Sequence, residues 1–282
     1  MDMLRVLAPV WGDESDLPCV QAAAAVASPS GAQILALAPE IDPLTTLAWA
    51  AGAGGYMSPD VVRLMQEGEE ARAESARQAA ATVRKALPVA SREDAIVYSR
   101  VRGLNVFEIV ADACAASDLA VFVDGAAFRG ERRQAFQSAL ISAGTPCLLV
   151  RNPDLVSGQI AVAWDGSAHA GRALRAAMPL IRARKQVTIL HAPLALSQHR
   201  RRAAAPEDLL HLLTRQGIDA NMPAICAGAR DGSELLKAAG EIGASLFVAG
   251  AFGHPRAQEF LFGGATQAFL DASNGPSLLL AH

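Results

Sequence analysis

The chain has 282 residues, 51% of them hydrophobic, and a formal net charge of −3. That composition supports a sizeable core and excludes global disorder, while the near-neutral balance leaves no electrostatic footprint for nucleic acid. The length suits two domains of about 140 residues each.

Nothing in the sequence resembles a strongly apolar span of about 18 residues or more, so no membrane partner is expected. The start, Met1-Asp-Met-Leu-Arg-Val, lacks a basic leader followed by an apolar stretch, and no secretory signal is expected. Cys19, Cys114, Cys147 and Cys226 lie far apart with no metal-site spacing. They fit a reducing cytosol, and Cys147, inside Pro146-Cys-Leu-Leu-Val150, is predicted to be a buried small hydrophobe. The expectation is a cytoplasmic protein without a bound metal.

Taken in chain order, the first half is predicted to place strands near residues 4–9, 33–38, 95–101, 119–123 and 147–150. A long helix rich in alanine and arginine is predicted over 58–87. Its Glu69, Glu70, Arg72, Glu74 and Arg77 recur at helical spacing, which predicts a charged solvent face opposite an alanine stripe. The uncharged stretch Pro43 to Pro59 carries Gly52, Gly54 and Gly55 and reads as an insertion loop or short helix. Asn152 to Gly158 is the natural linker, giving domains at 1–152 and 158–282.

The second half repeats the plan. Ile160 to Ala163 is a predicted strand, followed by a helix from Ala168 to Arg182 and a strand at Val187–Leu190. The run Arg200-Arg-Arg202 reads as a solvated loop. A helix opens at Pro206, with Leu209, Leu212 and Leu213 on one face and Gly217 at its stop. Met222 to Cys226 is a predicted third strand, Ser233 to Ile242 a helix, and Leu246–Ala249 and Pro276–Leu280 carry the last two strands.

Three correspondences establish the repeat. Each half begins with an apolar strand ending in Trp and Asp: Trp11-Gly12-Asp13 and Trp164-Asp165-Gly166-Ser167. The segments from Arg102 and from Ala229 correspond, and each leads to a strand. Each half closes on proline and an apolar run. Short, doubly apolar strands alternating with helices argue a parallel sheet covered on both faces, with ligands at the strands' carboxyl ends.

After Leu246–Ala249 comes Gly250-Ala-Phe-Gly253-His-Pro-Arg256-Ala-Gln-Glu-Phe-Leu-Phe-Gly263-Gly264-Ala-Thr266. Glycines there permit close backbone approach, and a helix beginning at the second pair would favour an anion, so the spacing points to a phosphate cradle. Ordinary turn chemistry between a strand and a helix is the other reading. In the first half, Asp124-Gly125 to Glu131 is shorter, carries no such spacing and puts a negative charge near any phosphate, so that copy reads as degenerate and structural.

The sequence Ala163-Trp164-Asp165-Gly166-Ser167 together with Gly250-x2-Gly253-x9-Gly263 resembles the universal stress protein family, over essentially the whole chain. The resemblance implies an α/β fold of two tandem Rossmann-like, adenine nucleotide α-hydrolase-like domains, each a five-stranded parallel sheet flanked by helices. It implies ATP or AMP as ligand, with magnesium accompanying ATP, and a non-enzymatic stress-response role. Asp165 would face the adenosine, His191 and Ala192 would pass the base, and Gly250 and Gly253 would approach ribose and phosphates. Gly263 and Gly264 would offer N–H groups. Read from the residues themselves, Arg256 either reaches a phosphate or faces solvent, and Thr266 offers a hydroxyl two residues beyond Gly264. The resemblance further implies an internal pseudo-dimer through Cys147–Val150 and Ser277–Leu280, and leaves open a further homodimer.

The family pattern carries Ser or Thr where this chain has Gly264; losing that hydroxyl costs about 1–2 kcal/mol of phosphate binding. Nucleotide binding and an interaction protein without nucleotide therefore both remain open. Neither a Ser-Gly-Gly-x-Asp-Ser loop, a His-x-Gly-His pair nor a GxxxxGK[ST] loop occurs, so no enzyme is expected. His169, His199, His211, His254 and His282 show no catalytic or metal-site arrangement.

Overall fold

Val6, Leu7 and Ala8 are all fully buried, as expected of a central parallel strand covered on both faces. They belong to β1 (Arg5–Pro9) in a computed structural model that describes residues 3–41, 58–86, 95–151, 158–191, 205–223, 232–251, 269–272 and 275–282. The chain divides into two compact units, Met1–Ala143 and Gly144–His282.

In unit 1, β1 is flanked by β2 (Gln33–Ile41) and β4 (Leu119–Val123), and β2 pairs on its far side with β3 (Ile96–Gly103), all parallel. Helix α1 spans Asp16–Ala27, α2 Pro59–Ala86, α3 Val106–Cys114 and α4 Glu131–Gln137. Asn105 caps α3 by accepting from Glu108 N–H. The alanine stripe of α2 buries Ala73, Ala76, Ala80 and Val83, as the spacing predicts. Its charged face is less free than expected. Arg77 pairs with Glu74 along the helix, but Glu70 bridges to Arg100 and Arg102 of β3, which also bind the buried Glu40.

In unit 2, β6 (Gln159–Ala163) lies between β7 (Gln186–Leu190) and β9 (Ala244–Gly250), with β8 (Asp219–Asn221) beyond β7 and β10 (Ser277–Ala281) beyond β9, all parallel. The remaining strand, β5 (Cys147–Val150), runs antiparallel to β10, setting Leu149 opposite Leu278, Leu148 opposite Leu279 and Cys147 opposite Leu280. Every one of these side chains is buried, which is why the strand that closes the first half of the repeat groups with unit 2. The predicted α/β class, with parallel strands between helices, is the one observed.

Helix α5 (Ala168–Arg184) starts on Ser167, whose hydroxyl accepts from Ala170 N–H, and stops on Lys185 at φ 56°. Helix α6 (Pro206–Arg215) ends before Gly217 at φ 73°, as predicted. Leu209 and Leu213 are buried but Leu212 is exposed, so the apolar face is narrower than the sequence suggests. Helix α7 covers Gly232–Glu241. The third strand lies at Asp219–Asn221, before the predicted Met222–Cys226; residues 224–226 lie outside the described residues, as do 43–57 and the arginine run 200–202. Among the described residues, no helix is long and apolar enough to cross a membrane.

Candidate functional site

The strand order of unit 2 brings three of the predicted site residues together. β6 is flanked by its successor β7 on one side and by β9 on the other, which makes its carboxyl end the switch point where open α/β sheets take ligands. Asp165 follows β6, His191 follows β7 and Gly250 closes β9. Ala192, Gly253, Arg256, Gly263, Gly264 and Thr266 lie outside the described residues.

Asp165 is exposed, and its Oδ1 accepts from Ser167 N–H at 2.9 Å in an Asx turn leading into α5. Its Oδ2 makes no hydrogen bond among the described residues. His191 is half-buried, and its Nδ1 is buried without a hydrogen-bond partner among the described residues. A ligand atom that reached it would relieve that cost.

Gly250 serves packing. A Cβ built there would lie 2.6 Å from Ala170 N and 2.9 Å from His169 Cβ, because the first turn of α5 sits directly on it. Beside it the His169 ring stacks on His282 with centroids 4.7 Å apart, while Arg172 donates to the His282 carbonyl at 2.7 Å. Burial, and after it the neighbouring His282, holds the His169 imidazole below its ordinary range. The two histidines lie at opposite ends of unit 2 in the sequence, and no local spacing signals their contact.

Two solved structures resemble the whole chain. One is the "Putative Universal Stress Protein from Pseudomonas aeruginosa UCBPP-PA14", at 13% identity and TM-score 0.61, covering 99% of this chain and 93% of that one. The other is a functionally unknown protein from Pseudomonas aeruginosa PAO1, at 13% identity and TM-score 0.55, covering 99% and 92%. The chain has a universal-stress-protein fold. No protein-family model and no curated protein sequence matches it.

Unit 1 has the same switch point with different furniture. Val10 N–H donates to Leu37 carbonyl as Trp164 N–H donates to Leu190 carbonyl, both at 2.8 Å. Val10 therefore occupies the place of Trp164, and Trp11 that of Asp165. The next glycines agree, with Gly12 at φ 78° and Gly166 at φ 72°. The two Trp-Asp endings read in the sequence are thus offset by one residue in space. Asp16, only 1% exposed, accepts from Trp11 N–H at 2.6 Å and Gly12 N–H at 2.7 Å. Helix α2 covers this end: a Cβ on Gly12 would lie 2.4 Å from Arg72 Cα. Two adjoining cavities remain, of about 100 and 280 Å³, both lined by Trp11, Gly12, Arg72 and Glu131.

Proposed function

We propose that this chain is a tandem universal stress protein that binds an adenine nucleotide, ATP or AMP, in the crevice of unit 2. The observation that carries the proposal is the convergence of Asp165 and His191 at one switch point, with His191 Nδ1 buried and without a hydrogen-bond partner among the described residues. Asp165 suits a ribose hydroxyl, which donates to a carboxylate. The motif Gly253-x9-Gly263 supports phosphate binding through backbone N–H groups, with Arg256 and Thr266 as the side-chain contributors. The role requires no catalysis: nucleotide binding shifts the population of a surface that a partner reads. Among the described residues, the buried thiols Cys19, Cys114 and Cys147 support a cytoplasmic setting.

A second reading, an interaction protein of the same fold without nucleotide, draws support from Gly250, whose missing side chain is used by α5, and from Gly264 in place of a hydroxyl. Calorimetric titration of the full chain with ATP or AMP and magnesium separates the two. The nucleotide reading expects saturable heat that Gly253→Val abolishes. Absence of heat, with no nucleotide in a denatured extract, contradicts it.

A further inference from the structure

The unit 1 crevice has lost the groups that hold phosphate and gained others. The N–H groups of Trp11 and Gly12 are both spent on buried Asp16. The Cα face of Gly12 lies against the α2 backbone, so no phosphate can approach there. The larger cavity, about 280 Å³, is lined instead by Trp11, Arg72, Arg129 and Arg132, with Asp13 and Glu131 as the two carboxylates. That volume falls just below the usual range for ligand pockets, about 300–1,000 Å³.

Arg132 is fixed in place. It pairs with Asp13, donates to Ser15 Oγ at 3.1 Å, and sits 5.2 Å from the Trp11 ring centroid, holding the indole by a cation–π contact. Among the described residues, exposed Arg72 is tied only to half-buried Glu69 along its own helix, a pair weak enough to be recruited. Arg129 is exposed and has no side-chain partner among the described residues.

We propose that this crevice binds a small planar monocarboxylate, of the aromatic-acid class, with its carboxylate on Arg129 and Arg72 and its ring against Trp11. The guanidinium fork matches a carboxylate, and the indole supplies an apolar face of the right shape. Asp13 and Glu131 bring the charge of the lining to one net positive, three arginines less two carboxylates, which balances one negative charge but not the two of a phosphate dianion. The site is independent of the unit 2 crevice and of the nucleotide proposal.

The test is titration of the full chain with benzoate, followed by calorimetry and by ligand-observed NMR. Benzoate binds the native chain. Arg129→Ala, a change at an exposed position, weakens it at least about tenfold. Trp11→Leu removes it while leaving binding of acetate as weak as before, and the exposed Arg175→Ala in unit 2 changes nothing. No saturable benzoate signal up to about 10 mM, a range that includes millimolar affinity, overturns the proposal. So does binding indifferent to both Arg129→Ala and Trp11→Leu. Displacement of benzoate by inorganic phosphate or AMP, with both lost in Arg129→Ala, overturns it in favour of a phosphate site.

Discussion

Gly12→Ala tests whether α2 is seated on the end of β1. Gly12 has φ 78°, and the added Cβ would lie 2.4 Å from Arg72 Cα and 2.5 Å from Arg72 O. A left-handed backbone costs an L-residue about 1–2 kcal/mol, and forcing a methyl into packed backbone costs about 1–3 kcal/mol more. Gly31→Ala in the same unit is the control: φ is 65° there, but no heavy atom lies within 4 Å of the new Cβ. It should carry the backbone cost alone, about 1–2 kcal/mol. Any entropic gain from removing a glycine in the unfolded chain is shared by both variants and cancels. The difference, about 1–3 kcal/mol, isolates the contact between α2 and the β1–α1 turn. Urea unfolding followed by far-ultraviolet circular dichroism would show Gly12→Ala unfolding at the lower midpoint, with m unchanged. Equal destabilisation within about 0.5 kcal/mol would refute the placement of the helix.

In unit 2, Gly250→Ala meets Ala170 N at 2.6 Å and should cost about 1–3 kcal/mol by thermal or urea unfolding. Asp13 is raised by burial, but its hydrogen bonds from Arg132 and Ser15 outweigh this and hold the carboxyl below its ordinary value. The unfolded chain therefore binds that proton first, so the stability Asp13 contributes is complete above about pH 4 and is lost as pH falls through the folded value. Asp13→Asn should flatten this acid limb of the stability profile. His169 behaves in the same direction for a different reason: burial and His282 depress its pKa below the usual 6.5, so the unfolded chain takes the proton more readily. Stability should fall as pH drops from about 6.5 through the folded value, and His169→Gln should weaken that slope in melts between about pH 5 and 8.

Most of the fold could be read from the sequence because its strands are short runs of buried apolar residues. Val6–Ala8, Leu119–Phe122, Ile160–Val162 and Leu278–Leu280 are completely or almost completely buried, so each reads as a short continuous apolar run covered on both faces. β8 was misplaced because Asp219 and Asn221 are polar edge residues without that signature, and their strand is set by pairing to β7. The placement of Asp165 and His191 at the carboxyl ends of neighbouring strands was legible, because each follows closely on a short apolar run. Glycine at Gly250 marks a close approach, and the sequence alone does not signal that the first turn of α5 lies against it. The unit 1 crevice was hidden because Trp11, Arg72 and Arg132 are brought together only by the sheet order and by α2 crossing the end of β1.

The proposed function places one nucleotide site in each chain, in unit 2. Equilibrium dialysis of the full chain with labelled ATP and magnesium measures its stoichiometry directly, in the native protein and in Asp165→Ala and Trp11→Ala. One equivalent is expected to bind to the native chain and to Trp11→Ala, and none to Asp165→Ala. Two equivalents, none, or a single equivalent lost only in Trp11→Ala would contradict it.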